Sequence, residues 1–299
     1  MAHAQQVRSF TISPPTIEQA NLMPGQHIEG TMKLTNNSDQ PLTFQTEIQD
    51  FIVSDTQGTP QLLPQNTLSN KYSGASWIGI FPDNFTLASK ETEILSYFID
   101  IPKDARPGGH YAAVIFRPIA PTSGNTTGTT VETQIGSLFY LPVAGNIYEH
   151  AQVSKFMAEH AFYEYGPVKI LSEIQNQGDQ HIKALGNITI TNMLGGTVAI
   201  LPLQLHNIFP GASREFENVL ERHWMVGLYK VTLLASYGKN NNLPLMKTSY
   251  FWVIPWKIGV VIILFLLLIL LGFLYWRKTK QIKTLPPSST NDEASSHVS

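Results

Sequence analysis

A long apolar run near the C-terminus constrains the fold of this chain more than any other feature. Residues 258–275 read IGVVIILFLLLILLGFLY, eighteen residues without a charged or strongly polar side chain. As an α-helix, which rises about 1.5 Å per residue, the run would span roughly 27 Å, close to the hydrocarbon thickness of a bilayer. We therefore predict a transmembrane helix over 256–276. A helix buried in a soluble core is disfavoured because no other segment reads as a helical partner.

The residues that flank this run predict its orientation. Cationic side chains stay on the cytoplasmic side of a membrane helix. Only Lys257 lies next to the start of the run, and four follow it, namely Arg277, Lys278, Lys280 and Lys283. We therefore expect a single-pass plasma-membrane protein with extracytoplasmic N-terminal domains and a cytoplasmic C-terminus. Including the aromatic rings that prefer the headgroup zone, the predicted interface anchors are Trp256, Lys257, Tyr275, Trp276, Arg277 and Lys278.

Both ends of the chain predict segments outside the folded part. Residues 2–4 read AHA and precede Gln5, which matches the small-x-small pattern of a signal-peptidase site. We interpret residues 1–6 as the remnant of a cleavage region, although no apolar region precedes them and an accidental match stays open. The tail 277–299 has basic residues followed by PPSSTNDEASSHVS. It has too little apolar surface to fold, which predicts a disordered cytoplasmic segment.

Composition excludes several classes of function. The chain has no cysteine, so it can form no disulfide, thiolate metal site or cysteine nucleophile. In an exported protein this suits a bacterial envelope. Lys and Arg total 20 against 22 Asp and Glu. A surface without a basic excess argues against nucleic acid as a partner. The nine histidines are scattered and no cofactor motif occurs, so we expect no metal site and no cofactor.

Residues 7–148 have the pattern of a first β-sandwich. Apolar and polar residues alternate over 28–35 and 42–53, the period of strands that place one face on a core. Further predicted strands are 10–13, 93–101, 110–117 and 134–145. The segments 56–85 and 120–133 are rich in Gly, Pro, Asn, Ser or Thr and predict long irregular loops, where binding sites tend to occur.

Residues 149–254 repeat this organisation as a second sandwich. The predicted strands are 152–157, 168–176, 181–191, 197–201, 214–216, 229–236 and 249–254. Each half has a strand that ends in asparagine, in KLTNNSD and SEIQNQGD, and a late strand entered through Tyr111 or Tyr229. We expect each tyrosine to pack its ring and hydrogen-bond its hydroxyl. The predicted fold is therefore all-β: two tandem immunoglobulin-like β-sandwiches followed by one transmembrane α-helix and a disordered tail.

No recognised catalytic motif occurs, and we predict a non-catalytic protein. Neighbouring acids, Glu91 with Glu93 and Glu215 with Glu217, are weak candidates for paired carboxylates and read as solvated strand faces. Aromatic residues offer better candidates for binding, because exposed rings stack on sugars or anchor a protein partner. The candidate ligand contacts are Trp77, Tyr72, Tyr163 and Tyr165, with packing inside a sandwich as the alternative.

Six runs of sequence and their order match a known arrangement. They are VRSFTISPPTIE, MPGQHIEGTMKLTNNSDQPLTF, PGGHYAAVIFR, IQNQGDQHIKALGNITITN, FPGASREF and GLYKVTLLASYG. With the apolar helix and basic tail they cover about residues 7–283, and the whole resembles the WxL-interacting protein family of bacterial cell surfaces. The resemblance implies a first sandwich that associates with peptidoglycan and a second that binds secreted WxL-type surface proteins. At 54–59 the chain has SDTQGT in place of the usual Asn-Gly turn.

These observations predict a non-catalytic, membrane-anchored cell-surface protein that tethers cell-wall glycan, a surface protein or both to the membrane. The predicted partners are the lipid bilayer, through 256–276, and peptidoglycan or an envelope protein. The alternative is a chaperone-like or assembly module that accepts a client β-strand at a sandwich edge, with the first sandwich as the candidate. An enzyme with an unrecognised site and a subunit of a larger membrane complex are further alternatives.

Overall fold

A computed structural model shows a chain of β-strands that ends in a helix. It describes residues 9–64, 71–119 and 134–282. The described strands build two immunoglobulin-like β-sandwiches, each around its own buried apolar core. The all-β fold predicted from the alternating sequence is therefore confirmed. Outside the described residues lie the predicted cleavage remnant 1–6, the loop 120–133 and the tail from 283 onward.

The first sandwich has two sheets built from ten described strands. These are β1 (Phe10–Ser13), β2 (Thr16–Glu18), β3 (His27–Asn36), β4 (Leu42–Val53), β5 (Pro60–Leu62), β6 (Ile78–Phe81), β7 (Asn84–Leu87), β8 (Thr92–Asp100), β9 (Gly108–Ile119) and β10 (Ile135–Val143). One sheet has the order β1-β3-β8-β6, and the other has β2-β10-β9-β4-β5 with β7 paired to β4. In β8 the alternate residues Leu95, Tyr97 and Ile99 are buried, as a strand with one face on a core requires.

The second sandwich also has ten described strands. These are β11 (Ala151–Ala158), β12 (Phe162–Tyr163), β13 (Val168–Asn176), β14 (Ile182–Lys183), β15 (Leu185–Asn192), β16 (Thr197–Pro202), β17 (Asn207–Ile208), β18 (Ser213–Leu220), β19 (Gly227–Tyr237) and β20 (Leu243–Val253). A sheet of order β11-β13-β18 faces a sheet of order β12-β20-β19-β15-β16, and β14 pairs with β17. In β19 the alternate residues Tyr229, Val231 and Leu233 are buried in the core between the sheets.

A buried asparagine closes the same turn in both sandwiches. Asn36 ends β3 and Asn176 ends β13, and both are 0% exposed. Each side-chain amide donates to the carbonyl four residues later at 2.8 Å, and each side-chain oxygen accepts the N–H two residues later. Asn36 also donates to the Ala88 carbonyl at 2.9 Å, and Asn176 to the Ile208 carbonyl at 2.8 Å. The shared asparagine motif in the sequence is therefore a shared hydrogen-bonding device.

The segment 56–85 holds more regular structure than its composition predicts. The strands β5 and β6 lie within it, and β7 begins at its end. Each has only three or four residues. Over so few residues an alternation of apolar and polar side chains cannot be recognised, and the surrounding Gly and Pro residues favour a prediction of loop.

The described residues contain one α-helix, α1 (Trp256–Ile282). Its part Trp256–Arg277 has a mean hydropathy of 3.1 over its most apolar window, and that window is not buried in the protein. This apolar C-terminal helix is a candidate membrane span, and its orientation stays a prediction. The helix continues six residues past its predicted end at 276.

Candidate functional site

The first two aromatic candidates pack within the first sandwich. Tyr72 is half-buried, with its ring centroid 6.3 Å from that of Tyr111 and 4.7 Å from the Lys71 ammonium. Trp77 is also half-buried, and its ring centroid lies 4.2 Å from that of His110. The surfaces of both rings are therefore partly occupied by their own chain. Their role as ligand contacts stays a prediction.

The other two candidates lie at the far end of the second sandwich, beside the start of α1. The half-buried Tyr163 ring has its centroid 5.8 Å from that of Phe251 in the core. The Tyr165 ring lies 5.3 Å from the His223 ring and 5.5 Å from the Trp224 ring. The structure thus places two of the candidate aromatic residues in each sandwich, and the four do not form a single site.

An acidic residue in the turn between β13 and β14 joins the two sandwiches. The Asp179 carbonyl accepts the Gly109 N–H at 2.8 Å, and its carboxylate lies 3.3 Å from the Arg106 guanidinium and 3.8 Å from the Lys71 ammonium. Burial acts to raise the pKa of the Asp179 carboxyl, but hydrogen bonds from the Tyr148 N–H and from Arg106 hold that pKa below its usual value. The carboxylate therefore stays charged and pairs with the basic side chains Arg106 and Lys71 of the first sandwich.

A second polar cluster at this junction is centred on Glu18 of β2. Its carboxylate accepts hydrogen bonds from His181 Nε2 at 3.2 Å and from Lys183 Nζ at 2.9 Å. The bond to His181 is the main reason that the pKa of Glu18 is lowered from 4.5 to about 2, against the opposing effect of burial. Tyr111 accepts the His181 backbone N–H at 2.8 Å, and burial raises the pKa of the Tyr111 hydroxyl far above its usual value. These bonds connect the two sandwiches directly.

Aromatic rings fill the space between these polar groups. Phe209 of the second sandwich has its ring centroid 5.0 Å from that of Tyr111, 5.5 Å from Tyr140 and 5.7 Å from Phe51. A further backbone bond joins the Glu215 N–H of β18 to the Thr56 carbonyl at 2.9 Å, within the run 54–59. Because rings and backbone bonds fill this junction, it is a structural interface between the sandwiches.

Most edge strands of the described sheets are protected against pairing with another chain. The strands β1, β6 and β7 have four residues each, and β5 has three and begins with Pro60. The short strands β2 and β12 cover part of the edges of β10 and β20 by parallel pairing. The longer β11 has a β-bulge before Lys155, and β18 carries Glu215 and Glu217. Short strands, bulges and charges are the usual means of blocking edge-to-edge pairing.

The strand β16 is a longer described edge that carries no charged side chain. Its protection is limited to its two ends, because the pairing with β15 has a bulge at Val198 and the strand ends in Pro202. Its six residues read TVAILP and carry no charge, and it pairs with β15 on one side. On its other side the described residues provide one hydrogen bond, from the Asn218 side chain to the Pro202 carbonyl at 2.9 Å. The Ile200 side chain is 60% exposed on the outer face of the sheet. Its cross-strand neighbours on that face are Thr189 of β15 and then Thr232 of β19. The strand therefore presents free backbone groups beside an uncharged surface.

The sequence predicts the strand β16 but not its place at the edge of a sheet. The run 197–201 was predicted as a strand, whereas its position at an edge follows only from the sheet order. The only sequence feature that could have indicated an open edge is the absence of charged residues in this strand. That signal is ambiguous, because an uncharged strand is equally typical of a sheet centre.

The described residues show no arrangement that points to catalysis or cofactor binding. They include no group of three or more His, Asp or Glu residues that could hold a metal ion. The candidate acids make ordinary contacts: Glu217 pairs with Lys169 at 3.1 Å, and Glu91 accepts the Ala88 N–H at 2.6 Å. The predicted absence of enzymatic activity stays a prediction.

No protein-family model and no curated protein matches the chain. Solved structures with similar strands include the class 5 fimbriae chaperone CfaA, at 13% identity and a TM-score of 0.42, covering 81% of this chain and 99% of that one. The E. coli chaperone DraB has 15% identity and a TM-score of 0.35, covering 82% and 98%. The Pseudomonas aeruginosa CupB2 chaperone has 9% identity and a TM-score of 0.35, covering 81% and 100%. Nothing about the function of this chain follows from similarity at this level.

Proposed function

We propose that this chain is a non-catalytic, membrane-anchored binding protein that accepts an extended segment of a partner protein at β16. The observation that carries the proposal is the uncharged edge of β16, which is paired on one side only. A partner strand added there would pair its backbone with the free N–H and C=O groups of the edge. Its side chains would alternate between the two faces of the sheet and supply specificity.

The length of this edge is sufficient for a specific but moderate interaction. In an antiparallel ladder, residues alternate in the side to which their backbone groups point, so about three residues of β16 face outward. Each hydrogen bond that they form contributes about 0.5–1.5 kcal/mol net. The exposed Ile200 side chain offers an apolar neighbour to the added strand. Backbone hydrogen bonds would therefore supply part of the affinity. Side chains of the added strand that pack beside Ile200 would supply the rest.

Other parts of the chain support a tethering role. The Glu18 and Asp179 clusters hold the sandwiches together, and α1 follows the last strand of the second sandwich after two residues. A partner on β16 would thus be held close to the candidate membrane span. The resemblance to WxL-interacting proteins points to a secreted WxL-type surface protein as the partner class. We favour an edge of the second sandwich for this role, and not the first sandwich that the sequence suggested.

Wall binding by the first sandwich is a separate prediction. Its candidates, Trp77 and Tyr72, are half-buried, so any glycan would reach only part of each ring. Sedimentation of the full chain in detergent with insoluble peptidoglycan measures this binding. Pelleting above that of a wall-free control is expected if the first sandwich binds glycan, and absence of pelleting removes this half of the tether.

The β16 proposal is tested with a purified secreted WxL-type surface protein as the probe and the full chain in detergent. Amide hydrogen exchange over 197–202 is expected to slow when the probe binds. Ile200→Lys places a charge on the edge and is expected to weaken binding about tenfold, equivalent to roughly 1.4 kcal/mol. Leu234→Lys is the matched control, because Leu234 is also 60% exposed but lies on the central strand β19 of the same sheet.

The pattern across the two variants decides the outcome. Protection at β16 together with a loss specific to Ile200→Lys supports strand addition. Binding without protection at β16, equal losses in both variants, or no binding of the probe contradicts the proposal.

A further inference from the structure

Several segments of the second sandwich meet beside the start of α1. Gly227 pairs with Val253, the last residue of β20, so the loop before β19 lies level with the end of β20. The turn after β15 is also here, because a Cβ on Gly227 would lie 3.5 Å from Met193 Sδ. Phe162 of β12 pairs with β20 one residue before its end. The juxtamembrane end is defined here as residues 162–164, 193–196, 221–226 and 254–257.

Every segment of the juxtamembrane end exposes large apolar side chains. Leu194 is 90% exposed, more than any other large apolar residue among those described. The most exposed of these apolar side chains are Phe162, Met193, Leu194, Trp224, Val226 and Trp256. Single exposed apolar residues are ordinary, but a cluster drawn from four separate chain segments marks an interaction surface.

The juxtamembrane end is held close to the helix. Two residues separate β20 from α1, so α1 begins within about 10 Å of Val253 at the maximum extension of the chain. The Ile254 N–H donates to the Tyr163 carbonyl at 2.8 Å, and the Lys257 ammonium lies 2.8 Å from the Glu164 carboxylate. The linker is therefore short and bonded to the sandwich, and it cannot carry this end far from the membrane.

We propose that the juxtamembrane end lies in the headgroup layer of the same bilayer that α1 crosses, with Leu194, Met193 and Trp224 in contact with lipid. This inference rests on the membrane anchoring included in the proposed function. The headgroup layer is about 5–8 Å thick on each side of the hydrocarbon, comparable with the reach of the linker. Trp side chains favour this layer because their rings are apolar and their N–H groups are polar.

Charges at this end do not oppose contact with lipid. Glu164 pairs with Lys257, and Glu221 is adjacent to Arg222, so the formal charges of the four segments cancel. The turn 193–196 reads MLGG and carries no charge. Zwitterionic phosphatidylcholine is therefore a sufficient lipid, and the contact does not depend on anionic headgroups.

The experiment uses the full chain in phosphatidylcholine nanodiscs with one nitroxide label per molecule. Because the chain has no cysteine, each substitution creates a single labelling site. Leu194→Cys reports on the juxtamembrane end, and Leu267→Cys reports on the middle of α1. Leu205→Cys is the matched control, because Leu205 is 62% exposed and follows β16 at the opposite end of the sandwich. The measured quantity is the ratio of nitroxide collisions with oxygen, which enters lipid, to collisions with a water-soluble nickel chelate.

Three outcomes are distinguishable. A ratio at Leu194→Cys that is several-fold above that at Leu205→Cys and below that at Leu267→Cys supports the proposal. Equal ratios at the first two positions, with a lipid-like ratio at Leu267→Cys, overturn it and leave the membrane anchor intact. A water-like ratio at Leu267→Cys overturns both the anchor and this inference.

Discussion

The Tyr111 hydroxyl is expected to couple the two sandwiches. Tyr111→Phe keeps the ring that packs against Phe209 with 5.0 Å between centroids. It removes only the hydroxyl, which accepts the His181 backbone N–H at 2.8 Å and lies 3.2 Å from His181 Nδ1. The variant therefore tests the two hydrogen bonds between this hydroxyl and His181 while the apolar contact stays in place.

The expected magnitude follows from burial. Tyr111 is 3% exposed and His181 is 8% exposed, so water cannot easily replace the missing acceptor. An unpaired buried N–H costs about 1–3 kcal/mol, and we expect about 2 kcal/mol here. For a folded unit of about 150–250 residues this lowers the melting temperature by about 4–8 °C.

Calorimetry of the full chain in detergent measures the effect. We expect one transition for the wild type, and in Tyr111→Phe a lower melting temperature with a second component, because the sandwiches then unfold separately. Tyr229→Phe is the matched control, since its hydroxyl lies 3.3 Å from the Val226 nitrogen within the same sandwich. Wild-type melting of Tyr111→Phe, or the same splitting in Tyr229→Phe, would refute the reasoning.

Three further predictions concern stability. Asn176→Ala removes the bonds that close its turn and the bond to the Ile208 carbonyl, and should cost about 2–4 kcal/mol in urea unfolding, whereas wild-type stability would contradict its structural role. Because the pKa of Glu18 is lowered from 4.5 to about 2, its contribution to stability is present above pH 4.5 and is lost as the pH falls toward 2. The free energy of unfolding of Glu18→Gln should depend less on pH over this range, and identical pH profiles would contradict that. Gly186→Ala places a Cβ in steric clash with the Leu234 carbonyl oxygen, so the ladder must shift and the melting temperature should fall; an unchanged value would contradict the clash.

The sandwiches could be predicted from the sequence because each strand has a local pattern of apolar, polar and turn residues. The alternation in β8 and the asparagine at the end of β13 are readable over ten residues or fewer, and the structure uses both as the sequence suggests. The tyrosines also behave as predicted, with packed rings and bonded hydroxyls at Tyr111 and Tyr229. The sequence did not reveal that the Tyr111 hydroxyl binds the other sandwich.

The candidate sites escaped prediction because they depend on residues far apart in the chain. Glu18 and His181 are separated by 163 positions, and no periodicity connects them. The exposed edge of β16 depends on sheet order, and the juxtamembrane end combines segments around Phe162, Leu194 and Trp224. Composition also predicts more irregular structure in 56–85 than the chain has. The short strands of this segment pair with the long strands β4 and β8, and only the long strands carry a readable alternation of apolar and polar residues.

The position of β20 determines how the second sandwich responds to mechanical load. The first sandwich enters it at Ala151, next to the Tyr237 hydroxyl, and the candidate membrane span leaves from Val253 at the other end. Tension between cell wall held by the first sandwich and the membrane would therefore run along β11 and β20. Eleven residue pairs join β20 to its antiparallel neighbour β19, and the hydrogen bonds lie across the direction of pull. The bonds are then sheared together and not opened one at a time, so we expect the second sandwich to resist extension under such a load.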